Sequence, residues 1–525
     1  MRTSMRYQRG SRRSQRHLAI ICSTACLTFG FSCGGGTDTS SGGGSGTGST
    51  QNITSDLNDD GIPDIVVSAA YDDSNGDYSG SVYVFFGNES MPGPTVSAAA
   101  ASVKLMGSGD DEQFGSAVAT GDVNGDGVDD LLVSSPRWDL PVADAGAVLI
   151  FLGPLSDNAV LVSSEADITL TGAGTVAGSP YGSMGDHFGD SMDLGDINGD
   201  GALDLLVGAP GADFDPGTPD EIEDAGCVYV FLGGNSLADR GAADANTTLW
   251  GEVDSEKFGS AVCAADIDGD GKADLAIAGE VDSPLLYIGG FVHIFRGQGL
   301  ASGSRSSADL RLDSEEGTDE FGSSIACGLI NSDGIPDLVI GAPKTDTLGT
   351  ETGRVYVFFG SSGFGGGDAS LADAIYSGYT SKSGFGVESA VADLNGDGFD
   401  DVLIGSPRSS FGAQKNGRVF VFYGGDALSD ELASYSDIIY TGEPYDYGRF
   451  GSAIEVLDCD GDGIADLMSS APAAPLSADV SEKVGRVYLF RGSPVLSDTA
   501  AADDDFTLTG ESEGGNFGFS ISRGN

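Results

Sequence analysis

The chain has 525 residues, with 80 acids against 25 bases, a formal net charge of −55, and 83 glycines. Negative charge on this scale argues against nucleic acid or an anionic membrane as a partner of the folded part, and it suits cation binding. Aromatics at 8% are enough for a core, and the glycine content fits a chain with many tight turns.

The first segment reads as an export signal. Residues 1–17 hold six arginines and no acid, and Leu18 to Phe31 is apolar with small residues, too short to span a bilayer as a stable helix. Cys33 follows Gly30-Phe31-Ser32 and precedes three glycines. A small residue before a cysteine, then a polar linker, resembles a bacterial lipobox, so Cys33 is the expected lipidation site. A leucine is usual where Gly30 stands, Cys26 after Ser-Thr-Ala is a rival, and cleavage without a lipid is the plain alternative. Residues 34–51 are almost entirely Gly, Ser and Thr, a flexible tether with an r.m.s. span of roughly 20–25 Å. Three parts are therefore expected: signal 1–33, tether 34–51 and a folded body 52–525. Cleaving the leader leaves 80 acids against 19 bases.

The body is organised by one loop. In Asp196-Ile-Asn198-Gly-Asp200-Gly201-Ala-Leu-Asp204, oxygen-bearing side chains fall at positions 1, 3, 5 and 9, and a glycine at position 6 permits a sharp turn. Hard cations such as Ca²⁺ take six to eight oxygens, and position 7 needs to offer only its carbonyl. The closing acid comes earlier than in the helix–loop–helix calcium loop, and the flanks are short and rich in Leu, Val and Ile, so the loop joins two strands. The unit recurs, beginning at Asp56, Asp122, Asp196, Asp266, Leu329, Asp393 and Asp458, with steps of 63 to 74 residues. A period of that kind marks a propeller, a solenoid or an array.

Other markers keep the register. Phe-Gly precedes six loops, at Phe114, Phe188, Phe258, Phe321, Phe385 and Phe450. A small residue and Pro follow five of them, as at Ala209-Pro210, though not at Ala69-Ala70 or Gly279-Glu280. A strand opening on glycine comes next, as in Gly226-Cys-Val-Tyr-Val-Phe-Leu, and a short fourth strand such as Thr247-Thr-Leu-Trp ends the unit. Four strands repeated seven times describe an all-β, seven-bladed β-propeller of four-stranded blades. The first loop has no Phe-Gly strand before it, and Phe517-Gly518-Phe-Ser-Ile521 is such a strand with no loop after it. Pairing the two closes the ring and hides strand edges.

Together the Phe-Gly pair, the Asp-x-Asn-x-Asp-Gly-x-x-Asp loop, the Gly-Ala-Pro turn and the Gly-x-Val-Tyr-Val strand resemble FG-GAP repeats. Such repeats form the seven-bladed propeller at the N-terminal end of integrin α subunits and occur in many bacterial surface proteins. The resemblance covers roughly residues 52–525. Integrin α chains usually keep metal loops in only some blades, whereas six of seven look complete here, closer to the bacterial versions. The leg domains of integrins have no counterpart in this sequence, so heterodimer function is not carried over.

The expected Ca²⁺ ligands are Asp56, Asn58, Asp60 and Asp64; Asp122, Asn124, Asp126 and Asp130; Asp196, Asn198, Asp200 and Asp204; Asp266, Asp268, Asp270 and Asp274; Asp393, Asn395, Asp397 and Asp401; Asp458, Asp460, Asp462 and Asp466. Carbonyls come from Ile62, Val128, Ala202, Lys272, Phe399 and Ile464. Asn and Asp are also common in ion-free turns, but four oxygens at fixed offsets, six times over, exceed turn propensity. Leu329 cannot ligate, so the fifth site is expected to be weak or empty.

Catalysis has little support. Of three histidines, His17 lies in the leader, His293 stands in a column held elsewhere by Tyr or Phe and should pack between blades, and His187 precedes Phe188 where a surface residue is expected. Cys227, Cys263 and Cys327 read as small buried thiols, and Cys459, at loop position 2, points away from the metal. The expectation is a non-enzymatic, surface-tethered, monomeric recognition or adhesion module of the bacterial envelope, with the membrane met only through an N-terminal lipid. Its unknown protein or glycan ligand would sit on the face opposite the metal loops, where Gly172–His187 and Gly211–Ala225 are the longest connections. The alternatives are a secreted hydrolase or lyase acting on polysaccharide or lipid, and a structural envelope protein.

Overall fold

The computed structural model describes residues 55–522, apart from 88–94, 140–143, 174–184, 215–221, 281–288, 316 and 478–479. The signal, the tether and Cys33 lie outside the described residues, as do 174–184 and 215–221 of the two long connections.

Seven small sheets form a ring. Blade 3 shows the plan. Its inner strand is Ser191–Gly195, followed outward by Asp204–Ala209, Cys227–Phe231 and Thr247–Trp250. The second strand is buried along its whole length and lacks polar alternation, because neighbouring blades cover both of its faces. The inner strands touch neighbour to neighbour all the way round, from Val118–Gly121 through to Ile521–Ser522 and back.

Closure follows the sequence expectation. Ile521 pairs with Val67 and Ser522 with Val66, antiparallel, so the far end of the body supplies the inner strand of blade 1. The blades carry one strand more than expected. In blade 3, Gly303–Ser304 from the next repeat adds in parallel outside Thr247–Trp250. The same addition occurs in every blade, and blade 7 receives Thr95–Ser97 from the first repeat against Phe506–Thr509. The seam is therefore latched at both its inner and outer edges. These added strands are mostly two residues long, and no alternating pattern marks so short a segment.

The Phe-Gly pair and the glycine that opens the third strand are two halves of one contact. Phe114, Phe188, Phe258, Phe321, Phe385, Phe450 and Phe517 are all buried. Each carbonyl sits where a Cβ on the third-strand glycine of the preceding blade would be: Gly80 against Phe114, Gly226 against Phe258, Gly485 against Phe517. Gly226 also has φ +79°, which disfavours any side chain. The motif thus marks where one blade's backbone presses on the next.

Two expectations need correction. Cys263 and Cys327 are not separate thiols: they form a disulfide between the inner strands of blades 4 and 5. Their separation of 64 residues is about one repeat, and the ring places near-equivalent inner-strand positions side by side. Cys227 and Cys459 are buried and free. His187 is not a surface residue either; its side chain is 16% exposed and Nδ1 lies 3.1 Å from Asp190 Oδ2. Burial would lower its pKa, but the Asp190 carboxylate more than offsets this and holds it raised. His293 is buried, as expected, edge-on to Phe258 and Phe291.

Candidate metal centres

Six loops join inner to second strands, the first loop leads into the second strand of blade 1, and all share one face of the ring. Loop 3 shows how the backbone aims its oxygens. Asp196 at position 1 accepts from the N–H groups of Gly199, Asp200 and Gly201, at 2.7, 2.9 and 2.9 Å. Asp200 at position 5 accepts from Ala202, at 3.0 Å. This winding needs φ near +89° at Gly201, the position-6 glycine. The bonds to position 1 from positions 5 and 6, and the position-5 bond, recur in the loops of Asp56, Asp122, Asp266, Asp393 and Asp458.

Position 9 does more than close the cage. Asp204 is the first residue of the second strand and is fully buried. Its Oδ2 accepts from the Ile197 N–H at 3.1 Å, and its Oδ1 from Gly233 just beyond the third strand at 3.0 Å. The Oδ1 bond recurs in every repeat, with Gly87, Gly153, Gly297, Gly360, Gly424 and Gly492 in the place of Gly233, and the Oδ2 bond recurs in repeats 1, 2, 5, 6 and 7. Each of these glycines lies so close to the position-8 carbonyl that a Cβ would collide with it. Position 9 therefore ties three strands together, and Asp337 does so even in the fifth repeat. That explains why the fifth loop keeps its acid although its first position is Leu329.

The residues fit a divalent cation. Burial, then the neighbouring loop acids, push the position-9 carboxyls up against the pull of their backbone hydrogen bonds. Asp64, Asp130, Asp274, Asp337 and Asp466 rise to about 7, Asp204 to about 6 and Asp401 to about 8. Buried carboxyls crowded by other carboxyls are the place for a positive charge. In loop 4, oxygens of Asp266, Asp268 and Asp274 lie within 4.8 Å of one another, and in loop 7 those of Asp458, Asp460 and Asp462 do. Where position 3 is asparagine, its amide reaches a loop acid, as Asn124 does to Asp126 and Asp130. Position 7 is less free than expected: the Lys272 ammonium donates to the Asn198 carbonyl of the preceding loop at 2.8 Å. Position 8 also crosses between blades, since Asp129 accepts from the Asp56 N–H and Asp400 from the Leu329 N–H. Neither cross-blade contact has a signal in a single repeat read alone.

Among the described residues no helix is long and apolar enough to cross a membrane. The FG-GAP repeat profile matches residues 53–85, 114–151, 188–231, 258–283, 321–358 and 385–422. Human phosphatidylinositol-glycan-specific phospholipase D is 29% identical over 320 residues, covering 56% of this chain and 36% of that protein. Integrin alpha-5 of Xenopus laevis is 35% identical over 188 residues, covering 33% of this chain and 15% of that one. The chain thus spans a minor part of the length of both relatives. Among solved structures, the V. cholerae biofilm matrix protein Bap1 aligns over 83% of this chain and 89% of its own, at 13% identity and a TM-score of 0.31, too low to support any argument. Seven in-register units, six of them matched by the repeat profile, make this chain an FG-GAP repeat protein folded as a seven-bladed β-propeller.

Proposed function

We propose that the chain is a calcium-stabilised recognition module, held at a bacterial surface by a lipid on Cys33, that binds a protein or glycan partner without catalysis. Six loops hold Ca²⁺ and brace the blades; the fifth is weak or empty. Extracellular calcium modules bind at roughly 10⁻⁴–10⁻³ M, a range suited to constant occupancy rather than sensing. The partner docks on the face opposite the loops.

One observation carries the choice of face. Connections of blades 6 and 7 there bring Tyr379, Phe411 and Tyr447 together, 40%, 61% and 41% exposed. Arg418 stacks on Phe411 and donates to the Tyr379 hydroxyl, while Lys415 and Lys483 lie over Tyr447. None of these three cations has a carboxylate partner among the described residues, in a chain of 80 acids. Exposed rings beside uncompensated cations suit sugar faces or an acidic peptide. The test is a glycan array and a pull-down on the purified propeller in calcium, with F411A/K415A as the comparison. Binding that the double variant abolishes supports the reading; binding that it leaves intact moves the site elsewhere.

The similarity to a phospholipase D favours a second reading, a hydrolase or lyase. Against it, each loop acid is accounted for by backbone N–H groups and a cation. Turnover in a screen of polysaccharide and phospholipid substrates would support the enzyme.

A further inference from the structure

Loop position 3 and the residue just after the third strand vary together across the seven repeats. Where position 3 is asparagine, in repeats 1, 2, 3, 5 and 6, that residue is apolar or aromatic: Phe86, Leu152, Leu232, Phe359 and Tyr423. Where position 3 is Asp268 or Asp460, it is Arg296 or Arg491. Each pair is in contact. Arg296 Nε lies 3.1 Å from Asp268 Oδ2, and Arg491 Nε lies 3.4 Å from Asp460 Oδ2. The Asp268 side chain is only 11% exposed, so its charge is poorly screened by water. Both loops are ones whose carboxylate oxygens converge.

The charges balance. The asparagine loops of repeats 1, 2, 3 and 6 present three carboxylates at their ligand positions, and loop 5, with Leu329, presents two. Loops 4 and 7 present four, and one arginine brings the sum back to three. We propose that Arg296 and Arg491 are built-in counter-charges that set the Ca²⁺ affinity of the fourth and seventh sites, matching them to the asparagine loops. This rests on the calcium reading above. Each arginine holds one oxygen of the position-3 aspartate. It relieves repulsion among the acids before the ion arrives and weakens their pull on the ion afterwards. Calcium affinity follows the number of ligand charges, so removing the arginine should tighten the site.

The test is amide hydrogen exchange followed by mass spectrometry over a calcium series, which gives a midpoint for each loop peptide. In R296L the arginine becomes the residue that repeats 2 and 3 already carry there, so folding should be kept. The loop 4 midpoint should fall about tenfold, those of loops 1, 2 and 3 should not move, and the calcium-free melting temperature should drop. D268N alone leaves an unpaired arginine beside the ion and should raise the loop 4 midpoint. R296L/D268N should return it close to wild type. A loop 4 midpoint that R296L leaves unchanged, with calcium still protecting the wild-type loop, overturns the counter-charge role. Wild-type loops that calcium does not protect at all overturn the calcium reading together with it.

Discussion

At the scale of single residues, each loop acid has a separable task. Asp196 collects three N–H groups and, with Ca²⁺, would also ligate. D196A should therefore melt lower than wild type in chelator and gain less on adding calcium. For a dissociation constant of 10⁻⁴–10⁻³ M, the lost calcium-dependent part is about 1.4–2.7 kcal/mol near 10 mM. Calorimetry with and without chelator checks this; an equal calcium response in D196A would remove Asp196 from the ligand set. His293 gives a pH prediction away from the loops. Burial, then the Arg311 and Arg305 guanidiniums, lower its pKa to about 3. The folded protein thus keeps His293 neutral where the unfolded chain protonates it near 6.5. Its share of stability is whole above that value and is lost as pH falls towards 3, at up to about 1.4 kcal/mol per pH unit. H293Y, which installs the residue found at Tyr229 and Tyr356, should flatten this limb. A denaturant midpoint series from pH 7 to pH 4 would show it, and parallel slopes for both proteins would refute it.

At the scale of elements, legibility depended on length and recurrence. The metal loop, the Phe-Gly pair and the third strand each carry several fixed residues and return seven times, so the sequence defined them and the blade they build. The two-residue strands on the outer edges carry no such pattern. They pair through backbone alone, as Gly303 does with Leu249 and Ser304 with Trp250. The Cys263–Cys327 bond was missed because each cysteine stands alone in its repeat, and only the ring brings the two inner strands together. His187 was misplaced because its partner, Asp190, lies beyond the buried Phe-Gly turn that folds it back. The contact behind the motif also yields a prediction. In G226A a methyl group meets the Phe258 carbonyl, at a φ that disfavours alanine. A loss of about 2–3 kcal/mol is expected. G514A, where φ is also positive but no atom lies within 4 Å, should cost less. Equal losses on denaturation would assign the whole effect to the turn and none to the blade contact.

At the scale of the whole molecule, the seam between blades 7 and 1 governs integrity. Removing residues 516–525 takes away Phe517 and the strand that pairs with Val66 and Val67. The truncated protein should expose the edge of Ile65–Ala69 and associate, which light scattering after size exclusion would detect. A monodisperse, fully stable truncation would mean that the outer latch at Thr95–Ser97 is enough on its own.

That seam also sets a timetable. Ser68 and Ser520 bond across 452 residues of chain, so the circle cannot shut until nearly all of the body is present. Contacts so remote in sequence form slowly. On the proposed surface location, a polypeptide threaded through an export pore would emerge with its first blade incomplete and wait for the last to arrive. During that wait, carboxylates that have not yet met their cation repel one another and keep the unfinished chain open, which delays premature collapse. On the calcium reading proposed above, the ion would then act as the signal to assemble.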